Sequence, residues 1–563
     1  METSAKLVGA SLPNRIEWSQ IEWRKLYRNV RRLQARIVKA LKAGKKRLVR
    51  ALQFILVRSL SGKALAVRRV TENQGKRTAG IDGIKWNNTS QKSQAVQTLR
   101  TKGYQAKPLR RVYIPKAIDK KRPLGIPIMK DRAMQALYKL ALEPIAEATA
   151  DPNSYGFRPH RAVRDAIGQC FNILCKPTSA LWILEGDIKG CFDHINHDWL
   201  LKHIPINKKP LAQWLKSGFI EQGHLHATDA GTPQGGIISP ILANMALDGL
   251  ETLLKDNFSK KDKVHLVRYA DDFIITAQSK QLLENQVKPL VEQFLEQRGL
   301  SLSPNKTHIT HINDGFDFLG FNIRKYNGKL IIQPAKKKIK SLLDKIRTIL
   351  KTHRSTSPAR LLKLINPILR GWANYYKHVC AKDTFNYIDR QIWWMLYRWV
   401  KRRHPKKSRR WVVKKYFYLY NNRNLHFFGT FKNKKNQKTK RHLFLLAHVS
   451  ITRHIKIRAT ANPFDPEYEP YFEKRLDRKM AETFQGRMRL TSLWKQQKGR
   501  CLICDNKITT ETGWHTHHII PLSEGGKTKM DNLVLLHPDC HRQLHSLGLT
   551  VRKPLLLRNQ TGV

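Results

Sequence analysis

The stretch "RYADDFIIT", residues 268–276, constrains the fold more than any other feature of this chain. Asp271 and Asp272 stand side by side between two apolar runs, Val264, Leu266 and Val267 before them and Phe273, Ile274 and Ile275 after. Adjacent like charges repel, so a fold separates them, solvates them or gives them a cation. Two short strand-like runs around a break read as a tight hairpin with the acids at its tip. Paired acids are also ordinary turn chemistry, so a third carboxylate has to decide. "LWILEGDIKGCFDHINHDWL" (181–200) supplies Asp187 at the end of a strand-like run, with Phe192 five residues on. Carboxylates from neighbouring strands are hard oxygen donors suited to Mg²⁺. Two such ions about 3.5–4 Å apart can activate a 3′-hydroxyl and stabilise a departing pyrophosphate.

The charge balance says what such a site would act on. Lys and Arg number 105 against 42 Asp and Glu, a net charge of +63 over 563 residues. That excess opposes compaction unless a polyanion neutralises it, which points to nucleic acid. Residues 24–58 hold 13 Lys or Arg and no acid, with Leu26, Val30, Leu33, Ile37 and Leu41 at helical spacing. This predicts a basic amphipathic helix broken near Gly44, one face core and the other on polyanion. Residues 390–464 carry 21 Lys or Arg and no acid, interleaved with Trp393, Trp394, Trp399, Trp411, Tyr416 and Phe417. No long apolar span and no leader pattern is found, so the expectation is a cytoplasmic, nucleic-acid-associated chain with no membrane partner.

The order of patterns predicts a multidomain α/β chain. Mixed strand and helix patterns run from about 78 to 325, and helical ones from 336 to 400, where Leu361, Leu364, Ile365, Ile368, Leu369 and Trp372 form a stripe. "KNKKNQKTKR" (432–441) reads as a flexible basic loop, "ANPFDPEYEP" (461–470) as a linker, and about 486–550 as a small module. There "CLIC" (501–504) and "HPDC" (537–540) pair as a tetrahedral Zn²⁺ site from Cys501, Cys504, His537 and Cys540. Alone this means a zinc-stapled binding module. A second cluster lies within it: adjacent His517 and His518, then Asn532, then His541 and His545, which share one helix face.

These motifs resemble, in order, those of reverse transcriptases encoded by group II introns, the maturases. "TAGIDG" (78–83), "RRVYIPKAIDKKRPLGIP" (110–127), "SYGFRPHRA" (154–162), "GTPQGGIISPILANMALDGLE" (231–251), "GLSLSPNKT" (299–307) and "GFDFLGFNI" (315–323) accompany the two acidic segments. The resemblance implies Asp187, Asp271 and Asp272 as catalytic Mg²⁺ ligands. It implies Lys116 and Arg122 on the triphosphate of the incoming dNTP, Gln234 beside the nascent base pair, and Phe192 as the steric gate against a ribose 2′-hydroxyl. "NPILRGWANYY" (366–376) is similar to the maturase, or X, region, and the basic run after 400 falls at the family's DNA-binding region.

The C-terminal cluster resembles the HNH nuclease motif of the ββα-metal fold. That resemblance implies His518 as general base, Asn532 as restraint on its loop, and His517, His541 and His545 around one divalent ion. His537 stands where related modules often carry cysteine, and Cys₃His remains a standard zinc set. The simpler reading, that these histidines extend the zinc site, stays open here. The expected architecture is a right-hand polymerase with fingers and palm (71–325) behind a basic helical extension (1–70). A thumb or X region (326–400), a basic DNA-binding region with linker (401–470) and an HNH domain (486–550) follow. The implied activity is RNA-directed DNA synthesis, assistance to splicing of group II intron RNA, and nicking of target DNA for target-primed mobility. A non-enzymatic splicing chaperone with relic motifs, or another bacterial retroelement reverse transcriptase, are the alternatives.

Overall fold

In the computed structural model, residues 17–117, 120–420, 423–432, 436–484, 488–510 and 512–553 are described. The basic N-terminal segment forms α1 (Trp23–Lys42), α2 (Lys46–Arg58) and α3 (Leu60–Glu72), turning at Gly44 in the left-handed region (φ +68°). Ser59 caps α3 by accepting from the Gly62 amide. Val30, Ile37 and Leu56 are buried. Gln34 and Gln53 are buried too, and Pro144 explains Gln34.

Strands β1 (Leu109–Ala117) and β2 (Lys120–Ile126) form an antiparallel hairpin, the fingers, and β1 continues onto Phe219–Glu221. Helix α4 (Met129–Thr149) follows and contains Pro144. Proline has no amide hydrogen, so the Leu140 carbonyl one turn earlier loses its helical donor. Gln34 Nε2 donates to that carbonyl at 2.8 Å, while Gln53 Nε2 donates to Pro205 O at 2.9 Å and to Ala141 O at 3.3 Å. The N-terminal helices are therefore built onto the polymerase core and are not a loose extension.

The palm sheet has β3 (Trp182–Asp187), β4 (His265–Tyr269), β5 (Asp272–Ala277) and β6 (His308–His311), in the order β4-β5-β3-β6, all pairs antiparallel. Gly186 is required here, because a Cβ would lie 2.2 Å from the Phe273 ring. A second sheet, β7 (Phe316–Phe318), β8 (Phe321–Tyr326) and β9 (Lys329–Pro334), leads to α5 (Lys336–Thr352), α6 (Pro358–Tyr376) and α7 (Lys382–Arg403). The β8–β9 hairpin thus straddles the 325/326 division expected from the sequence. Leu361, Ile365 and Leu369 are buried, but Leu364 is exposed, and Leu362 takes its place in the core.

The basic region folds as β10 (Phe417–Tyr420), β11 (Arg423–Lys432) and β12 (Lys438–His442). The flexible loop expected over 432–441 is corrected here: Lys438–Arg441 pairs with Gly429–Lys432, and 433–435 lie outside the described residues. Thr439 opposite Phe431 supplies the pairing that its lysine neighbours obscure. Trp399, Tyr416 and Phe417 are core residues, whereas Trp394 is exposed. The expected linker is docked: Asn462 and Asp465 are buried, and Lys42 pairs with Asp465.

Helix α8 (Glu469–Thr483) leads to a ββα unit of β13 (His515–His518), β14 (Leu533–Leu536) and α9 (Pro538–Leu547). Gln543 on α9 donates to Ser19 O and Ile21 O, and Arg24 pairs with Asp505, so this unit sits on the N-terminal helices. Among the described residues no helix is long and apolar enough to cross a membrane.

Candidate functional site

β4 and β5 are joined by Ala270 and Asp271 alone, with Tyr269 opposite Asp272. Ala270 holds φ +58°, a conformation that disfavours a Cβ. Neighbours enforce it. Tyr155 N donates to Arg268 O at 2.9 Å, and a Cβ on Gly156 would lie 2.3 Å from Ala270 N. The "SYGFRP" segment therefore clamps the acidic turn from the side. Beneath it the fully buried Arg268 pairs with Asp248 and lies near Asp151.

In β3, Asp187 is in register with Asp272. Asp187 and Asp272 are thus neighbours at one end of the palm sheet, with Asp271 in the adjoining turn. Burial raises the proton affinity of Asp271. Burial first, and then the charges of Asp271 and Asp187, push Asp272 up to about 6. Lys306 donates to Asp187 Oδ2 at 2.7 Å, and that bond raises the lysine's own pKa. Lys306 carries no signal local to the acids, since 119 residues separate it from Asp187. Acids held back from ionising by burial and by one another are groups whose repulsion a cation would relieve.

Phe192 is buried, edge-on to the exposed Phe157 ring at 6.0 Å. Its carbonyl accepts from Thr232 N at 2.6 Å, and Gly231 (φ +83°) has no room for a Cβ, which would lie 2.5 Å from that oxygen. Gln234 links fingers to palm. It accepts from Arg122 Nε at 2.7 Å and donates to both Asp193 oxygens at 3.0 and 2.9 Å, while its carbonyl accepts from Gly125 N. Asp193 was not singled out in the sequence, although it adjoins Phe192. Lys116 lies on β1, but its side chain is outside the described residues.

In the C-terminal unit, the ligand atoms of Cys501, Cys504, His537 and Cys540 all lie within 4.8 Å of one another, and all four residues are buried. His537 turns Nδ1 to Cys504 Sγ (3.2 Å) while Nε2 faces the Lys507 carbonyl at 3.2 Å. That carbonyl fixes the tautomer that leaves Nδ1 free to ligate. Ring nitrogens of His517, His541 and His545 form a separate group within the same 4.8 Å limit. Burial, then the neighbouring histidines, push His517 down to about 4, which keeps it in the neutral, ligating form near pH 7. His515, to which the sequence assigns no role, lies with Nδ1 3.4 Å from His541 Nδ1. His518 is outside both groups, with Nε2 3.2 Å from Thr528 Oγ1. Asn532 holds the loop after it, accepting from Ile520 N (2.7 Å) and donating to Ile520 O and Lys527 O (both 3.0 Å). The simpler reading of one enlarged zinc site does not match two separate ligand groups.

Comparison with known proteins agrees with this layout. The family profile "Reverse transcriptase (RNA-dependent DNA polymerase)" matches residues 114–323, and "N-terminal domain of reverse transcriptase" matches 18–99. "Group II intron, maturase-specific domain" matches 339–417, and "HNH endonuclease" matches 501–547. The Lactococcus lactis subsp. cremoris group II intron-encoded protein LtrA is 30% identical over 427 residues, covering 58% of this chain and 70% of that protein. Protein YkfC of Escherichia coli (strain K12) is 34% identical over 307 residues, covering 46% of this chain and 79% of that protein.

Proposed function

The chain belongs to the group II intron-encoded reverse transcriptases and maturases with an HNH endonuclease domain, and from that premise we infer how its own residues divide the work. It is an RNA-directed DNA polymerase that assists splicing and carries the endonuclease used in intron mobility. Polymerases and HNH nucleases of these families work with divalent metals. In this chain Asp187, Asp271 and Asp272 are the residues that hold Mg²⁺. The supporting observation is Asp187 in register with Asp272 and Asp271 in the adjoining turn, an all-oxygen donor set that fits a hard cation. When bound, Mg²⁺ supplies charge stabilisation to the primer 3′-oxygen and to the departing pyrophosphate.

The protein's own part is placement. Phe192, packed on Phe157 and fixed through its carbonyl, closes the space a ribose 2′-hydroxyl would need. Arg122, oriented by Gln234 and Asp193, presents positive charge to the dNTP triphosphate, and Lys116 is the second cation the family resemblance assigns there. In the HNH domain, Cys501, Cys504, His537 and Cys540 hold structural Zn²⁺, a soft donor set that fits it. His517, His541 and His545 would hold a second divalent ion, which would supply stabilisation of the scissile phosphate and leaving oxygen. A ring nitrogen of His518 takes the proton of the attacking water, and Asn532 keeps the loop behind it in place.

The partners are the intron RNA, the target DNA and dNTPs, bound through the exposed cations of α1, α2 and the segment after Arg403. The test is target-primed synthesis by the purified ribonucleoprotein on a DNA duplex. Asp272→Asn should nick and not extend, and His518→Ala should extend from a ready-made nick and not make one. Variants that behave alike would refute this division.

A further inference from the structure

A cavity of about 610 Å³ opens away from both catalytic groups, between α6 and the β11–β12 hairpin. Lys363, Pro367 and Arg370 line it from the helix, and Phe431, Lys440 and Phe444 from the sheet side. No Asp or Glu is among its lining residues. Its walls are fixed from inside the protein. Asn366, buried on α6, donates to His442 O at 2.8 Å and accepts from Phe444 N at 2.9 Å. Gly429 brings β11 against the start of α6 so closely that a Cβ would lie 2.2 Å from Ala359 N. The cavity is therefore formed before any ligand arrives, within the roughly 300–1,000 Å³ usual for small-ligand sites.

Its chemistry is that of a nucleotide receptor. Lys363 and Arg370 are exposed cations on its helix wall, whereas the Lys440 ammonium turns to the Tyr418 and Phe428 rings, 4.9 and 5.3 Å from their centres. The Arg370 guanidinium lies 5.3 Å from the Phe444 ring centre, a pairing that offers a flat face to a base. Pro367, inside α6, removes the amide that would bond the Lys363 carbonyl, which leaves an acceptor on the same wall. A hydroxyl or amino hydrogen suits it. The volume takes one nucleotide and no duplex.

We propose that this cavity receives a single unstacked nucleotide of the intron RNA, its phosphate held by Lys363 and its base against Arg370 and Phe444. This rests on intron RNA being the partner. RNA is favoured over DNA because α6 lies in the segment matched by the maturase-specific profile. Folded RNA also presents splayed bases in loops and bulges, whereas a DNA duplex must first be unstacked.

The experiment compares full-length wild type with Lys363→Ala/Arg370→Ala for binding to the transcribed intron RNA across a salt series, with 2′-hydroxyl acylation mapping of the complexes. Both side chains are exposed, so the variant should melt as wild type does. Should it melt lower, the single exchange Lys363→Glu serves instead. The expected result is about tenfold weaker binding, a salt slope flatter by about 0.7 per lost phosphate contact, and renewed acylation at one unpaired nucleotide that wild type protects. Unchanged affinity, slope and map would overturn the proposal. So would a loss confined to DNA binding. Failure of the wild type itself to retain intron RNA would instead overturn the functional reading beneath it.

Discussion

Asp272→Asn separates what the acidic cluster does for catalysis from what it does to stability. Asp272 titrates at about 6 in the folded chain against an ordinary value of 3.8. At 1.36 kcal/mol per decade of proton affinity, that rise corresponds to roughly 3 kcal/mol by which folding disfavours the ionised form. Its carboxyl packs among the other acids, yet the residue stays more than a third exposed at the strand end, so water screens much of the repulsion and about 1 kcal/mol remains. The sign is opposite to that of a salt-bridged carboxylate. Below about pH 4 the group is protonated in both states and contributes nothing. Between about 4 and 6 only the folded state keeps the proton, so stability falls as pH rises, and above 6 the full penalty applies. In metal-free buffer the Asn variant should therefore be more stable than wild type by about 1 kcal/mol at pH 7, a gain that fades towards pH 4. Mg²⁺ should stabilise wild type and not the variant, and primer extension should be lost. The assay is chemical denaturation at several pH values, with EDTA or Mg²⁺, beside primer extension. A variant that is less stable at pH 7, or that still extends primers, would refute the reading of these acids as a repelling, cation-seeking set.

Phe192→Ala should raise the kcat/KM for ribonucleotides relative to deoxyribonucleotides, and an unchanged ratio would place the gate elsewhere. Cys504→Ser should lose zinc and become protease-sensitive beyond about residue 500, while His518→Ala should keep zinc and fold yet lose nicking. If His518→Ala loses zinc, the histidines belong to the staple. Gln34→Ala should leave the Leu140 carbonyl without a donor and destabilise the core by about 1–3 kcal/mol, read from denaturation midpoints.

What the sequence revealed was whatever is local. The Asp271–Asp272 hairpin was legible because both strands lie within a dozen residues of the turn, and the cysteine spacing because one turn makes it. Polar partners distant in sequence were not legible. Nothing near Asp187 announces Lys306, and nothing near Arg122 announces Gln234 as its partner, 112 residues on. Local chemistry also misled. The lysines of 438–441 read as loop because the residues that make them a strand, Phe428–Lys432, belong to the partner strand. Leu364 fits a helical stripe, yet the stripe is wider than the surface that covers it.

The hydrogen bond from Gln543 to Ser19 spans 524 residues, and this sets a schedule for synthesis. At about 5–20 residues per second, a ribosome needs roughly half a minute to two minutes between making the two. For that interval the segment around Trp18, Ile21 and Trp23, buried in the finished chain, lacks the helix that will sit on it. The nascent protein therefore carries an aromatic end covered on the Arg68 and Lys92 side alone, beside an acid-free cationic helix, a combination that favours early capture by whatever polyanion is nearest.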